Sequence, residues 1–126
     1  MQTNTPTGND AYTEKLYDLC MIEKVCRGNQ EQIKQMIRAF IDQVPKAVED
    51  IKAAYRKNDF DLVKKEAHRI KPVLSIYAVI KIEEDILQIE STAGLLANSE
   101  LELKLNKVDA VVTSIVEQMK KTFLYQ

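Results

Sequence analysis

A chain of 126 residues with 45% hydrophobic side chains has material for one domain around one buried core, and not for two. Its 18 basic and 19 acidic residues are scattered along the sequence and leave a formal charge of −1, which excludes a field strong enough to attract nucleic acid or an anionic membrane. No run of about 18 apolar residues occurs, and Met1 to Asp10 is polar where a signal peptide is apolar, so a soluble cytoplasmic protein is expected.

Three glycines and three prolines are too few for the frequent tight turns of an all-β chain, so the expectation is all-α. Residues 1–11 carry no periodic apolar positions and read as a flexible leader before a folded domain over 12–126. A first short helix is expected over Thr13–Cys26, with Leu16, Leu19 or Cys20, and Val25 turned inward. It ends at Arg27-Gly28-Asn29, where glycine can take a positive φ. Cys20 and Cys26 have neither a second cysteine pair nor a nearby histidine to complete a zinc site, and both read as buried thiols.

Asn29 can cap a long helix in which Ile33, Met36, Ile37, Phe40, Val44, Val48, Ile51 and Tyr55 form one stripe, in phase on both sides of Pro45. Pro45 therefore predicts a bend and not a break. Asp59 can cap a third helix that buries Phe60, Val63, Ala67, Ile70, Leu74 and Tyr77. A fourth is expected from Val79 to Ala93, ending near Gly94, with Val79, Ile82, Ile86, Ile89 and Ala93 as its seam. Ser99 and Glu102 have the spacing of a capping box before a last long helix that buries Leu101, Leu105, Val108, Val112, Ile115, Met119 and Phe123. Four amphipathic helices on short links predict an up-down antiparallel four-helix bundle, with the short N-terminal helix as an addition.

The chain has one histidine, His68, in the third helix. Counting about 100° per residue from Val63, the buried positions Ala67, Ile70 and Leu74 lie within about 40°, and His68 lies at about 140°, on the outer flank. Lys64, Lys71, Ser75 and Pro72 fall on the same flank, at about 100°, 80°, 120° and 180°. A solvated imidazole, with its ordinary titration near pH 6.5, is largely neutral and nucleophilic at cell pH. Phosphorylation adds nearly two negative charges, which Lys64 and Lys71, one turn away on either side, could screen. A nucleophile on the convex side of a helix is also open to another protein's active site. The pattern thus points to a phosphoryl carrier.

Ala67-His68-Arg69-Ile70-Lys71, followed by Ser75, Ala78-Val79 and Ile89-Glu90, resembles the histidine phosphotransfer (HPt) domain of multistep two-component phosphorelays, over roughly Leu19 to Phe123. The family core can be written His-x-x-Lys-Gly, with a Leu-Glu pair in the following helix. The resemblance implies that His68 is the phosphoacceptor and Lys71 the residue that contacts the phosphoryl group. It also implies docking through Lys64, Lys65, Pro72, Ser75 and Ile76, with response-regulator receiver domains or a hybrid sensor histidine kinase as partners. The protein would work as a monomer without a cofactor, with Mg2+ expected only in the partner receiver.

The sequence departs from the family in that Pro72 stands at the core glycine, Val73 and Leu74 at the small residues after it, and Ala78 at the glycine near the helix end. Pro72 cannot donate to the carbonyl of His68, which predicts a local bend, and with Ile76 it makes the patch beside His68 more apolar. No glycine-rich phosphate loop is present, so autophosphorylation from ATP is not expected and the chain is a phosphohistidine intermediate without an autokinase module. The alternative is a scaffold or inhibitor that binds signalling partners through the same surface without being phosphorylated. A bundle-type carboxylate metal enzyme needs Glu-x-x-His from two helices, which one histidine cannot supply.

Overall fold

The computed structural model describes residues 15–95 and 98–124. The expected leader, and the start of the first helix at Thr13, lie outside the described residues. Their regular structure is helical, with no strand among the described residues: α1 (Cys20–Val25), α2 (Gln30–Arg56), α3 (Phe60–Ile76), α4 (Glu83–Thr92) and α5 (Asn98–Met119), followed by a π-helical turn over Lys120–Leu124.

The first helix is shorter than its apolar pattern suggested. Lys15 to Leu19 is irregular, and the Asp18 carboxylate accepts the Cys20 N–H at 2.7 Å, so helical hydrogen bonding starts later and in a different phase. Ile22 and Cys26, four residues apart, face the core, whereas Val25 is 64% exposed and Cys20 is exposed, contrary to the inward positions expected for them. Tyr17 and Leu19 are buried from the irregular segment itself, which is held by Asp18 N–H donating to the Tyr77 carbonyl (3.0 Å) and Leu16 N–H donating to Gln118 Oε1 (3.1 Å).

The longer elements follow their stripes. Asn29 Oδ1 accepts from Gln32 N–H at 3.0 Å and Asp59 Oδ1 from Leu62 N–H at 3.1 Å, the two predicted caps. The helix α2 runs uninterrupted for 27 residues through Pro45, burying Ile33, Ile37, Phe40, Val44, Val48, Ile51 and Ala54, with Met36 and Tyr55 half-buried beside them. Likewise α3 continues through Pro72, burying Val63, Ala67, Ile70 and Leu74. Leu101, Leu105, Val108, Val112, Ile115 and Met119 form the buried stripe of α5, with Phe123 partly buried beyond it. Each of α2, α3, α4 and α5 packs on two of the others, in the closed order α2–α3–α4–α5–α2, and α1 packs on α2.

Two expectations need correction. The fourth helix begins at Glu83 and not at Val79: Val79 and Ile82 are buried from the turns that precede it. Ser99 lies inside α5, so no capping box forms at that position, and Glu102 instead accepts the Tyr55 hydroxyl across α2 and α5 at 3.3 Å.

Three helix ends share one backbone solution without glycine at the decisive residue. Arg27, Asn58 and Ala78 have φ of 53°, 58° and 53°, each just past the end of a helix. Ala78 N–H donates to the Ser75 carbonyl (3.0 Å) and Val79 N–H to the Leu74 carbonyl (2.9 Å), the paired bonds of a Schellman stop. Left-handed backbone costs a residue with Cβ about 1–2 kcal/mol, and glycine loosens the unfolded chain by about 0.4–1 kcal/mol, so relief of strain wins. Ala78→Gly is expected to stabilise the protein by about 0.5–1 kcal/mol in urea titration.

Candidate functional site

The geometry of α3 separates a buried stripe from a reactive flank. Val63, Ala67, Ile70 and Leu74 anchor the helix, while the His68 side chain is 69% exposed on the flank that faces α4. There the imidazole meets Glu90, 22 residues later on α4, with His68 Nδ1 2.5 Å from Glu90 Oε2. A carboxylate has only lone pairs to offer, so the proton belongs on Nδ1 and that nitrogen donates. In the neutral ring Nε2 then carries the free lone pair.

The second oxygen of the same carboxylate, Oε1, accepts from Lys71 Nζ at 2.7 Å. Glu90 thus joins the two residues that the sequence placed in the catalytic role, although Lys71 is directed at a carboxylate and not at open solvent. The Lys71 hydrogen bond is the main influence that holds the Glu90 carboxyl below the usual carboxylate range, reinforced by His68 and only partly opposed by desolvation. Glu90 is therefore ionised at neutral pH, and it neutralises the ammonium while it orients the ring.

The helix α4 is fixed in register for this contact. Asp85 pairs with Lys107 of α5 at 2.9 Å, and Lys104 of α5 donates to Gln88 Oε1 at 2.5 Å. Ile86 and Ile89 are fully buried, and just past the helix end Gly94 takes a φ of +87°, a conformation that would strain any residue with a Cβ. Glu90 consequently reaches α3 from a held backbone.

The remaining sequence-predicted residues distribute unequally. Lys65, Pro72, Ser75 and Ile76 are exposed and Lys64 is half-buried. Lys71 and Ser75 line a groove between α3 and α4 with Glu83, Glu84 and Leu87. On the opposite flank Arg69 is folded back onto Glu66, its Nη2 and Nε both donating to Oε1 (2.5 and 3.2 Å), and takes no part in the His68 cluster. Glu90 is the residue that sequence reasoning left without a role; its only signal was the Ile89-Glu90 pair. Among the described residues, no three His, Cys, Asp or Glu side chains converge to hold a metal ion, and no helix is long and apolar enough to cross a membrane.

Comparison of the chain with protein-family models, with curated proteins and with solved structures finds no match.

Proposed function

We propose that this chain is a histidine phosphotransfer protein, a cytoplasmic carrier that receives a phosphoryl group on His68 from the aspartate of one receiver domain and passes it to another. The helices would form an up-down antiparallel four-helix bundle, a reading favoured by the closed order of helix packing and the short links between consecutive helices. The observation that carries the proposal is the imidazole itself: Nδ1–H is bound to Glu90, leaving Nε2 as the free nucleophile on an exposed helix face.

The transfer balances simply. The Nε2 lone pair forms the N–P bond in line as the P–O bond of the aspartyl phosphate breaks, and the carboxylate leaves with that electron pair. Nε2 bears no proton in this tautomer, so none has to be removed, and the positive charge that develops on the ring is met by Glu90 through Nδ1–H. Lys71, one turn beyond His68, is placed to exchange Glu90 for a phosphoryl oxygen once the dianion is present. The receiver would supply its magnesium ion; the carrier supplies nucleophile, orientation and docking surface. Loading in reverse uses the same atoms.

The test uses phosphoramidate as a partner-independent donor, followed by addition of unphosphorylated receiver domains from the source organism. Phosphorus NMR should show an acid-labile phosphoramidate resonance at Nε2 of His68, and the label should then move to a receiver aspartate. Absence of label from His68, with phosphoramidate and with phosphorylated receivers alike, overturns the proposal in favour of a non-phosphorylated scaffold.

A further inference from the structure

The charges on the reactive face of α3 and α4 are compensated in the middle and uncompensated at the ends. Glu90 is shared between His68 and Lys71, Asp85 is paired with Lys107, and Glu66 with Arg69. Lys64 and Lys65, a turn before His68, have no ion-pair partner among the described residues, and neither have Glu83 and Glu84 at the far end. Among the described residues, the one side-chain hydrogen bond of Glu84 is accepted from the neutral Gln88 amide, at 3.1 Å. Between these ends the groove presents Ser75 and the 45% exposed Leu87, beside the exposed Pro72 and the 42% exposed Ile76.

The two ends are far enough apart to act separately. The rise from Lys64 to Ser75 is about 16 Å of helix, roughly twice the screening length at physiological salt, about 8 Å. Asp61 in the first turn of α3 offsets part of the basic end, where the positive pole of that helix adds to the lysines, and the positive pole of α4 offsets part of the charge of Glu83 and Glu84 in its own first turn. The formal charge of −1 thus conceals a face with opposite signs at its two ends and the nucleophile between them.

We propose that this face fixes the orientation in which a receiver docks: the acidic surface around its phosphoacceptor lies over His68 and Lys64–Lys65, and a basic patch on the same receiver lies over Glu83 and Glu84. The proposal rests on the carrier reading above. A docked protein has one rotation about the His68 axis that satisfies both ends, and the opposite rotation sets like charges against each other at both. Such charges act chiefly on encounter and on the choice of partner, and less on the chemical step.

The experiment loads the full-length chain with phosphoramidate and measures kcat and KM for transfer to each receiver of the source organism that accepts the label, at low and at physiological salt. Glu83→Lys with Glu84→Lys is expected to raise KM about tenfold at low salt with kcat nearly constant, and to flatten the salt dependence of KM. The milder pair Glu83→Gln with Glu84→Gln should move KM part of the way, which keeps the test open if the lysine variant melts early. Glu49→Lys with Glu117→Lys, the same change of charge on α2 and α5 outside the groove, should leave KM within twofold. An unchanged KM in both groove variants, or an equal rise in the control, overturns the oriented docking. Failure of His68 to take the label is a different result and removes the carrier reading itself.

Discussion

Glu90→Gln is expected to slow phosphoryl acceptance on the order of 100-fold, while His68→Gln abolishes it. The amide of glutamine has one oxygen where glutamate has two, and Lys71 and the imidazole compete for it. The ammonium, as the stronger donor, takes the oxygen and turns the NH2 group toward the ring. An NH2 group at Nδ1 demands a lone pair there and drives the ring proton to Nε2, where it blocks attack. The loss should appear in the rate of labelling by phosphoramidate, with folding intact, because the His68 side chain is mostly exposed and Glu90 lies at the rim of the core. A merely structural Glu90 would change stability and leave the labelling rate alone.

The same variant has a defined signature with pH. The folded-state pKa of Glu90 is depressed, so its contribution to stability is complete above the ordinary carboxylate value and is lost as pH falls through the lower folded value. Any difference in Tm between wild type and Glu90→Gln at pH 7 should therefore close in acid, below the usual carboxylate range. A difference that persisted there would mean that packing, and not charge, links Glu90 to its neighbours.

Phe40→Ala is expected to cost about 3–5 kcal/mol, the largest loss from one core side chain. Phe40 is 1% exposed in the middle of α2 and meets the Tyr77 ring edge-on at 4.8 Å. Tyr77 in turn donates its hydroxyl to the Met36 carbonyl at 2.8 Å, and its backbone carbonyl holds Asp18. The ring therefore supports α2, the end of α3 and the segment that leads into α1 at once, so the site cannot collapse by moving a single element. With a total stability of about 5–15 kcal/mol for a domain of this kind, Tm should fall on the order of 15 °C, read by circular dichroism. A loss under about 1 kcal/mol would mean that this end of the molecule is loosely packed.

The long helices were legible because their burial repeats with the period of the helix itself: the stripe from Ile33 to Ile51 needs no knowledge of what it packs against. The caps at Asn29 and Asp59 were legible for the same reason, since the acceptor and its N–H lie three residues apart. What was not legible depends on partners distant in sequence or on one side-chain hydrogen bond. Asp18 moves the start of α1, so that Val25 turns outward and Ile22, which the sequence reading did not name, takes the core position. Tyr55, 47 residues before Glu102, donates its hydroxyl to the carboxylate that a local rule would assign to Ser99. Ala78 adopts a conformation that favours glycine, and the turn that results delays α4 to Glu83. At the candidate site, the exposure of His68 followed from the helical angle alone, whereas its contact with Glu90 joins two helices and no periodicity within either can show it.

The position of His68 on a helix anchored by four buried residues has a kinetic corollary for the carrier reading. The imidazole has no second place to go, and the donor and the recipient would have to cover the same few square nanometres. Loading and unloading then occur by turns, with the first protein gone before the second arrives. Turnover would follow a double-displacement pattern, and an excess of either protein in its unphosphorylated form would obstruct the other.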